Sequence, residues 1–152
     1  MILNLGAGKR PIEGAVNHDW RLDPARPYIT AAHDLNVMPW PWPDDSAHKI
    51  VARAVFEHLD IDLVRALDEC WRILEPGGYL YLKLPHWKSE LAHADPTHRW
   101  YYTLASFDQF DPERRRGQEY DFYTARHWRI VKGPYLNDAK SSIHVTLQVR
   151  KP

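Results

Sequence analysis

Two closely spaced glycines followed by an acidic residue form the part of the sequence best suited to binding a nucleoside. Gly6 and Gly8 come directly after the largely apolar residues 1–5, and Asp19 lies thirteen positions beyond Gly6. Glycine adopts positive φ and has no Cβ, so such a turn lets the backbone approach a ligand closely. An aspartate at the end of the next strand accepts hydrogen bonds from ribose hydroxyls. The pattern therefore predicts a nucleoside site at the first residues.

The residues that follow this turn indicate which kind of nucleoside would bind. Pro11 stands where a dinucleotide fingerprint has its third glycine, and the short spacing from Gly6 to Asp19 hardly fits a full crossover helix. A pyrophosphate binds at the N-terminus of that helix, whereas a nucleoside without phosphates does not need it. We therefore expect a phosphate-free nucleoside in place of NAD. The alternative interpretation is a tight turn with an exposed aspartate.

Acidic and histidine side chains suited to proton transfer occur in two later places. Glu57 and His58 are adjacent, and a second group lies within thirteen residues and comprises His86, His93, Asp95 and His98. Imidazole titrates near neutral pH, so His98 or His86 is the predicted catalytic base, with Asp95 in the same group. The alternatives are that Glu57 and His58 orient a helix start, and that the later group holds a loop by hydrogen bonds. Its spacing matches no standard metal-ligand pattern, so we expect no metal.

The elements that must position these groups alternate between strands and helices. Apolar patterning predicts strands over residues 1–5, 14–19, 29–35, 49–54, 79–84, 128–135 and 143–150. A helix between the fourth and fifth strands is predicted to be capped by Asp60 and stopped by Glu75-Pro76-Gly77-Gly78. The pattern predicts an α/β fold with a Rossmann-like, mostly parallel sheet and an antiparallel C-terminal strand pair, lacking most of the first crossover helix.

Length and composition narrow the possible functions. The 152 residues are most simply one domain spanning 1–152, and 20 basic residues balance 20 acidic ones. Because the net charge is zero, the chain has no overall positive charge that would attract nucleic acid or an anionic membrane. Cys70 is the only cysteine, which excludes an internal disulfide and a cysteine-based zinc cluster. No signal peptide and no stretch of about 18 apolar residues is visible, so we expect a cytoplasmic protein without a membrane partner.

Four motifs occur in an order that resembles the class I S-adenosylmethionine-dependent methyltransferases, in particular small members of the type 11 kind. They are His33-Asp34-Leu35-Asn36, the Pro/Trp segment 39–46, Val55-Phe56-Glu57-His58-Leu59, and residues 66–78, which end in Arg72-Ile73-Leu74-Glu75-Pro76-Gly77-Gly78. The last two are the most specific. The resemblance covers about residues 1–110 and implies a truncated member of the family with S-adenosyl-L-methionine as its cofactor.

The resemblance also implies a set of cofactor-binding residues: Gly6, Ala7, Gly8, Asp19, Trp20, Asp34, Leu35, Arg53, Ala54 and His58. In such proteins the glycine loop passes under the methionyl part and the ribose. The acid after strand two holds the ribose, and the Asp-Leu after strand three contacts the adenine. Family members often carry Ser or His where Arg53 and Ala54 stand. The segment Asp95–Thr103 resembles one that lines the substrate pocket.

The implied activity is methyl transfer by in-line displacement to a small-molecule or sugar-like acceptor. Enzymes that methylate amino groups of nucleic-acid bases carry an Asp/Asn-Pro-Pro-aromatic turn after strand four, where residues 55–58 stand here. Its absence and the zero net charge disfavour a DNA or RNA acceptor. Two alternatives stay open: a protein that binds S-adenosylmethionine as an accessory or regulatory subunit, and an enzyme that consumes the cofactor in another way. A homo-oligomer that supplies a lid also stays open.

Overall fold

Seven strands form one mixed sheet in the computed structural model, which describes residues 1–152. The strands are β1 (Ile2–Leu5), β2 (Val16–Asp19), β3 (Ala31–Ala32), β4 (Ala47–Arg53), β5 (Leu74–Pro85), β6 (His127–Leu136) and β7 (Ser142–Arg150). Their order is β3-β2-β1-β4-β5-β7-β6. The first five strands pair in parallel, whereas β7 runs antiparallel to both β5 and β6. The predicted α/β architecture with an antiparallel C-terminal pair is confirmed.

Helical structure is sparse. The α-helices are α1 (Leu63–Ile73), α2 (Glu90–His93) and α3 (Arg115–Glu119), and short 3-10 turns span Phe56–His58, Leu104–Phe110 and Asp121–Tyr123. No helix lies between β1 and β2, which confirms that the first crossover helix is missing. None of these helices combines the length and the apolar character that a membrane-spanning helix needs.

Two buried asparagines hold the connection that replaces this helix. The Asn17 side chain accepts from the Ile12 N–H at 2.8 Å and donates to the Ile12 carbonyl at 3.0 Å. The Asn4 side chain donates to Asn17 Oδ1 at 2.8 Å and to the Arg10 carbonyl at 3.0 Å. Backbone groups that cannot pair within a helix need such partners when they lie against a core. The loop after β1 is therefore fixed by side chains of β1 and β2.

Three predicted boundaries were wrong. Asp62 caps α1 by accepting from the Arg65 N–H at 2.9 Å, whereas the predicted cap, Asp60, forms an ion pair with Arg99. The helix ends at Ile73, directly before the predicted stop at residues 75–78, but the next strand starts at Leu74 and not at the predicted residue 79, where its regular pairing begins. The predicted third strand, 29–35, has only two residues, because it pairs with β2 alone and β2 ends at Asp19, so that only His18 and Asp19 are available as partners.

The sheet and α1 enclose one apolar core. Leu80, Leu82 and Leu84 of β5 are buried as predicted, and Leu67 of α1 is fully buried in the same cluster. Complete burial of one such side chain contributes roughly 1.5–3 kcal/mol. Cys70 is also fully buried in this core, as its place on the helix predicts.

The ion pair between Arg72 and Glu69 holds the Pro/Trp segment against α1. Arg72 donates to the Glu69 carboxylate and to the carbonyls of Trp40 and Trp42 at distances of 2.8–3.0 Å, and it also binds Asp44. Glu69 in turn accepts from the Trp40 N–H at 2.7 Å. The Arg-Ile-Leu helix end, one of the most specific motifs of the sequence, therefore has a structural role at a distance from the glycine loop.

Candidate functional site

Two adjoining cavities lie beyond the carboxyl ends of the parallel strands. The first, which we call the glycine-loop cavity, has a volume of about 340 Å³ and is lined by Gly6, Gly8 and residues from the segments 18–20, 33–36 and 54–59. The second, the histidine cavity, has a volume of about 640 Å³ and is lined by Arg10, Ala54, Glu57, His58, residues 83–85, Leu91, residues 94–96, His98 and Ser142. Ala54 and His58 line both. Ligands of open parallel sheets bind at this edge.

The glycine loop has the backbone conformation that its sequence predicts. Gly6 and Gly8 have φ of +56° and +53°, which L side chains rarely adopt. A Cβ on Gly6 would lie 2.5 Å from Val55 Cγ2, so the loop packs tightly against the residues after β4. The side chain of Tyr28 donates to the Gly8 carbonyl at 3.0 Å and supports the loop from the other side.

His18 connects this loop to the segment after β3, a role that sequence analysis missed. Its Nε2 donates to the His33 carbonyl at 2.9 Å, which leaves Nδ1 to accept from the Gly6 N–H at 3.4 Å. Burial lowers the pKa of His18, so the neutral ring that can both donate and accept is favoured. The only sequence signal for this role is its position beside Asp19 at the end of β2.

Asp19 joins the glycine loop to β2. Its Oδ2 accepts from the Gly8 N–H at 3.2 Å and from Arg26 Nη1 at 3.0 Å, and its Oδ1 accepts from the Trp20 N–H at 2.8 Å. A carboxylate has about four acceptor positions, so Oδ1 retains one for a ligand. The side chain is 12% exposed, on the wall of the glycine-loop cavity. The sequence did not indicate that Arg26 would cover part of this carboxylate.

All residues of the predicted cofactor set lie on the wall of the glycine-loop cavity, with the exception of Ala7 and Arg53. Ala7 is buried beneath the loop, and Arg53 donates to the Arg10 carbonyl at 2.9 Å and so braces the loop from outside. Ala54 has a φ of +56°, in the left-handed region that a non-glycine residue occupies at a cost of about 1 kcal/mol. This strained residue stands where the two cavities meet.

Glu57 is the most unusual group of the histidine cavity. Its side chain is fully buried, and neither carboxylate oxygen has a hydrogen-bond partner. Burial raises the pKa of Glu57 to about 7, because the charged form is poorly solvated. The Glu57 backbone carbonyl accepts from the N–H groups of Arg99 and Trp100, which holds the His98 segment against residues 56–58.

Two histidines lie beside this carboxylate. His98 Nδ1 is 3.0 Å from the Ala92 carbonyl, which can only accept, so Nδ1 carries the proton. His58 Nδ1 is 2.9 Å from Thr97 Oγ1, which itself donates to Asp95 at 2.7 Å and therefore accepts from His58. In the neutral rings both Nε2 atoms thus keep a lone pair. His98 Nε2 lies 4.0 Å from Glu57 Oε1.

The other histidines of the predicted group lie elsewhere. His86 lines a third cavity, of about 780 Å³, together with residues of the 136–141 segment. His93 stacks on Tyr101, and its Nε2 bonds to the Trp87 carbonyl at 2.9 Å. The structure therefore brings His98 and Asp95 to the histidine cavity with Glu57 and His58, and separates His86 and His93 from it.

Comparison with known proteins gives one family match. Residues 14–82, somewhat less than half of the chain, match the sequence model of a family described as a methyltransferase domain. No curated protein matches the sequence significantly.

Several solved structures have the same fold at low sequence identity. A chain of the complex between the Haloferax volcanii Trm112 methyltransferase activator and a methyltransferase is 14% identical, with a TM-score of 0.64 over 99% of this chain and 82% of that chain. An S-adenosylmethionine-dependent methyltransferase from Mesorhizobium loti is 11% identical, with a TM-score of 0.62 over 97% and 89%. Another, from Aquifex aeolicus, is 16% identical, with a TM-score of 0.58 over 97% and 81%.

Proposed function

We propose that this chain is a class I S-adenosylmethionine-dependent methyltransferase and that it transfers the methyl group to a small-molecule or sugar-like acceptor in the histidine cavity. The matched segment and the fold support this proposal. The observation that carries the proposal is the junction of the two cavities at Ala54 and His58. Methyl transfer requires a cofactor and an acceptor to meet in line, and two cavities that share a wall allow this.

The residues of the glycine-loop cavity fit S-adenosylmethionine. Gly6 lets the loop pack against Val55 of the cavity wall, where a Cβ would clash, and Asp19 Oδ1 retains an acceptor position for a ribose hydroxyl. Asp34 uses one oxygen to cap the Asn36 N–H at 2.9 Å, which leaves the other for the adenine amino group. When bound, S-adenosylmethionine supplies an electrophilic methyl group on a sulfonium that loses its charge during transfer.

In the histidine cavity, we propose that His98 acts on the acceptor through its free Nε2 atom. The Ala92 carbonyl fixes the orientation of this ring, and its side chain is 8% exposed. Asp95 contributes as a positioning residue, because it holds Thr97, which orients His58. His86 lines another cavity, which favours His98 over His86 as the group that contacts the acceptor.

A second candidate function is binding of S-adenosylmethionine without methyl transfer. The observation that favours it is the ion pair between Arg26 and Asp19, which occupies part of the carboxylate that a ribose would use. The Haloferax volcanii structure is a complex with a methyltransferase activator, and a partner protein of that kind would suit a chain that lacks the first crossover helix.

Binding and turnover distinguish these functions. We expect S-adenosylmethionine and its demethylated product to bind with one site per chain in calorimetry, and radiolabelled methyl groups to pass to a member of a panel of small hydroxyl-bearing compounds. His98→Ala is expected to lower kcat at least tenfold without changing cofactor affinity, since the ring lies outside the glycine-loop cavity.

The matched control is His86→Ala, which changes a histidine in a neighbouring cavity and should retain kcat within about twofold. Cofactor binding with no methylated product would favour the second function. The absence of binding by either ligand would contradict both functions.

A further inference from the structure

We propose that Glu57, His58 and His98 bind one divalent transition-metal ion at the wall of the histidine cavity. One carboxylate oxygen of Glu57 and one ring nitrogen of each histidine lie within 4.8 Å of one another. Two of these residues come from the turn after β4 and the third lies 40 positions beyond His58, so no local spacing reveals the set. The earlier expectation of no metal was derived only from the 86–98 segment.

The unpartnered carboxylate is the first observation that carries this proposal. Glu57 is fully buried, and its two oxygens have no hydrogen-bond partner. Arg10 and Lys83 line the same cavity, yet the only basic group within 4.0 Å of the carboxylate is the ring of His98, which is neutral unless it is protonated. A buried carboxylate without a cation or donor is costly, and a bound cation would remove that cost.

The orientation of the two imidazoles is the second, independent observation. Each ring donates from Nδ1 to an oxygen of the protein: the Ala92 carbonyl for His98, and Thr97 Oγ1, itself bonded to Asp95, for His58. Metal-ligating histidines are typically held in this way by an acceptor at the nitrogen that does not bind the metal. The available Nε2 lone pairs are the ones a metal ion needs.

The distances allow an ion to enter with small side-chain movements. Ligand atoms around a tetrahedral zinc ion are separated by about 3.4 Å, given bonds of about 2.0–2.1 Å. His98 Nε2 is already 4.0 Å from Glu57 Oε1, and the His58 and His98 rings meet edge to face with centroids 4.6 Å apart. A contraction of about 1 Å, through rotation of side chains next to open space, completes the set.

The donor types indicate which ions fit and what they would bind. Two imidazoles and one carboxylate suit zinc, manganese or ferrous iron, and three protein ligands leave at least one position for an exogenous ligand. That position would face the cavity that we assign to the acceptor. With an ion bound, the His98 Nε2 lone pair would hold the metal, so His98 would act on the acceptor through the ion and not as a direct base. We therefore infer an acceptor with an oxygen donor, such as a hydroxyl or a carboxylate, that the ion would bind. This inference about the acceptor rests on the proposed function, whereas the metal site does not.

Metal binding is measured on the full chain without S-adenosylmethionine. Protein stripped with a chelator is titrated with Zn²⁺ in a calorimeter and with Co²⁺ by visible absorption. We expect one ion per chain and cobalt bands of four- or five-coordinate geometry. Glu57→Gln, His58→Ala and His98→Ala should each lower the affinity at least tenfold. His93→Ala, which changes an exposed histidine of the same segment, should bind as the wild type does.

The same titrations contain the results that would overturn the proposal. Affinity that is unchanged in Glu57→Gln, or lowered equally by His93→Ala, would show that the ion binds elsewhere. No binding by the wild type at micromolar Zn²⁺ would also reject the site. Glu57→Gln keeps the size of the side chain, so it provides the test even where a histidine variant fails to fold. Because cofactor is absent, failure of the metal site and failure of methyl transfer are separate results.

Discussion

Glu57→Gln is expected to stabilise the metal-free protein in alkaline solution, although it changes a residue of the functional site. Burial raises the pKa of Glu57 from 4.5 to about 7. Below pH 4.5 the carboxyl group is protonated in the folded and the unfolded chain and carries no penalty. Between these values the folded state binds a proton that the unfolded state has lost, so stability falls as pH rises. Above pH 7 the full penalty, about 3 kcal/mol, is present.

Glutamine removes this pH dependence because it has the same shape and no charge. The groups that face the carboxylate are His98, His58, Asp95 and the Tyr102 hydroxyl, and they are unchanged in the variant. The free-energy difference between variant and wild type should therefore shift by about 3 kcal/mol in favour of the variant from pH 4.5 to pH 8. Urea unfolding in the presence of a chelator measures it.

Glu69 provides the matched control, since it is also a nearly buried glutamate but has a cationic partner. Burial opposes ionisation of Glu69, yet hydrogen bonds from Arg72 and the Trp40 N–H leave its pKa below the ordinary value. Its contribution is therefore present above the unfolded pKa and lost as pH falls. Glu69→Gln should destabilise the protein at pH 8 by at least about 1.5 kcal/mol, because it weakens the charge-assisted hydrogen bonds from Arg72 and the Trp40 N–H. If both substitutions had the same sign at pH 8, our account of Glu57 would be wrong.

The parts of the molecule predicted correctly are those that short stretches of sequence specify. The strand before Gly6, the strand over residues 79–84 and the helix ahead of it each depend on neighbours within one element. The absence of a crossover helix also follows from local spacing, because too few residues separate Gly6 from Asp19. These features establish the sheet and the edge at which a ligand binds.

The predictions that were wrong or missing concern features that depend on contacts between residues distant in sequence. Asp60 and Asp62 are equally good helix caps by residue type. The Asp60 side chain instead pairs with Arg99, and its backbone N–H donates to the Asn36 side chain. His86 and His98 are close in sequence but separate in space. Glu57 lies beside His98 because the Glu57 backbone carbonyl accepts from the N–H of Arg99. The hydrophobic periodicity of the sequence gives no sign of this long-range hydrogen bond.

Asp19→Ala is expected to lower the affinity for S-adenosylmethionine and for its demethylated product at least about 100-fold, because hydrogen bonds to a charged group contribute roughly 1.5–3 kcal/mol each. Two effects combine in this loss. The variant removes the proposed acceptor for the ribose, and it frees the N–H groups of Gly8 and Trp20 that keep the loop in place. Calorimetry with the demethylated product measures it without turnover.

Asp23→Ala is the control that separates the cofactor role of Asp19 from its ion pair. Both aspartates bind Arg26, at 3.0 Å and 2.8 Å, but only Asp19 lines the glycine-loop cavity. Asp23→Ala should therefore retain cofactor affinity within about threefold, because its ion pair with Arg26 lies near the surface and outside the cavity. Asp19→Asn, which can still accept through one oxygen, should fall between the two. Equal affinities for Asp19→Ala and Asp23→Ala would place the ribose away from Asp19, and the glycine loop would then be a structural turn only.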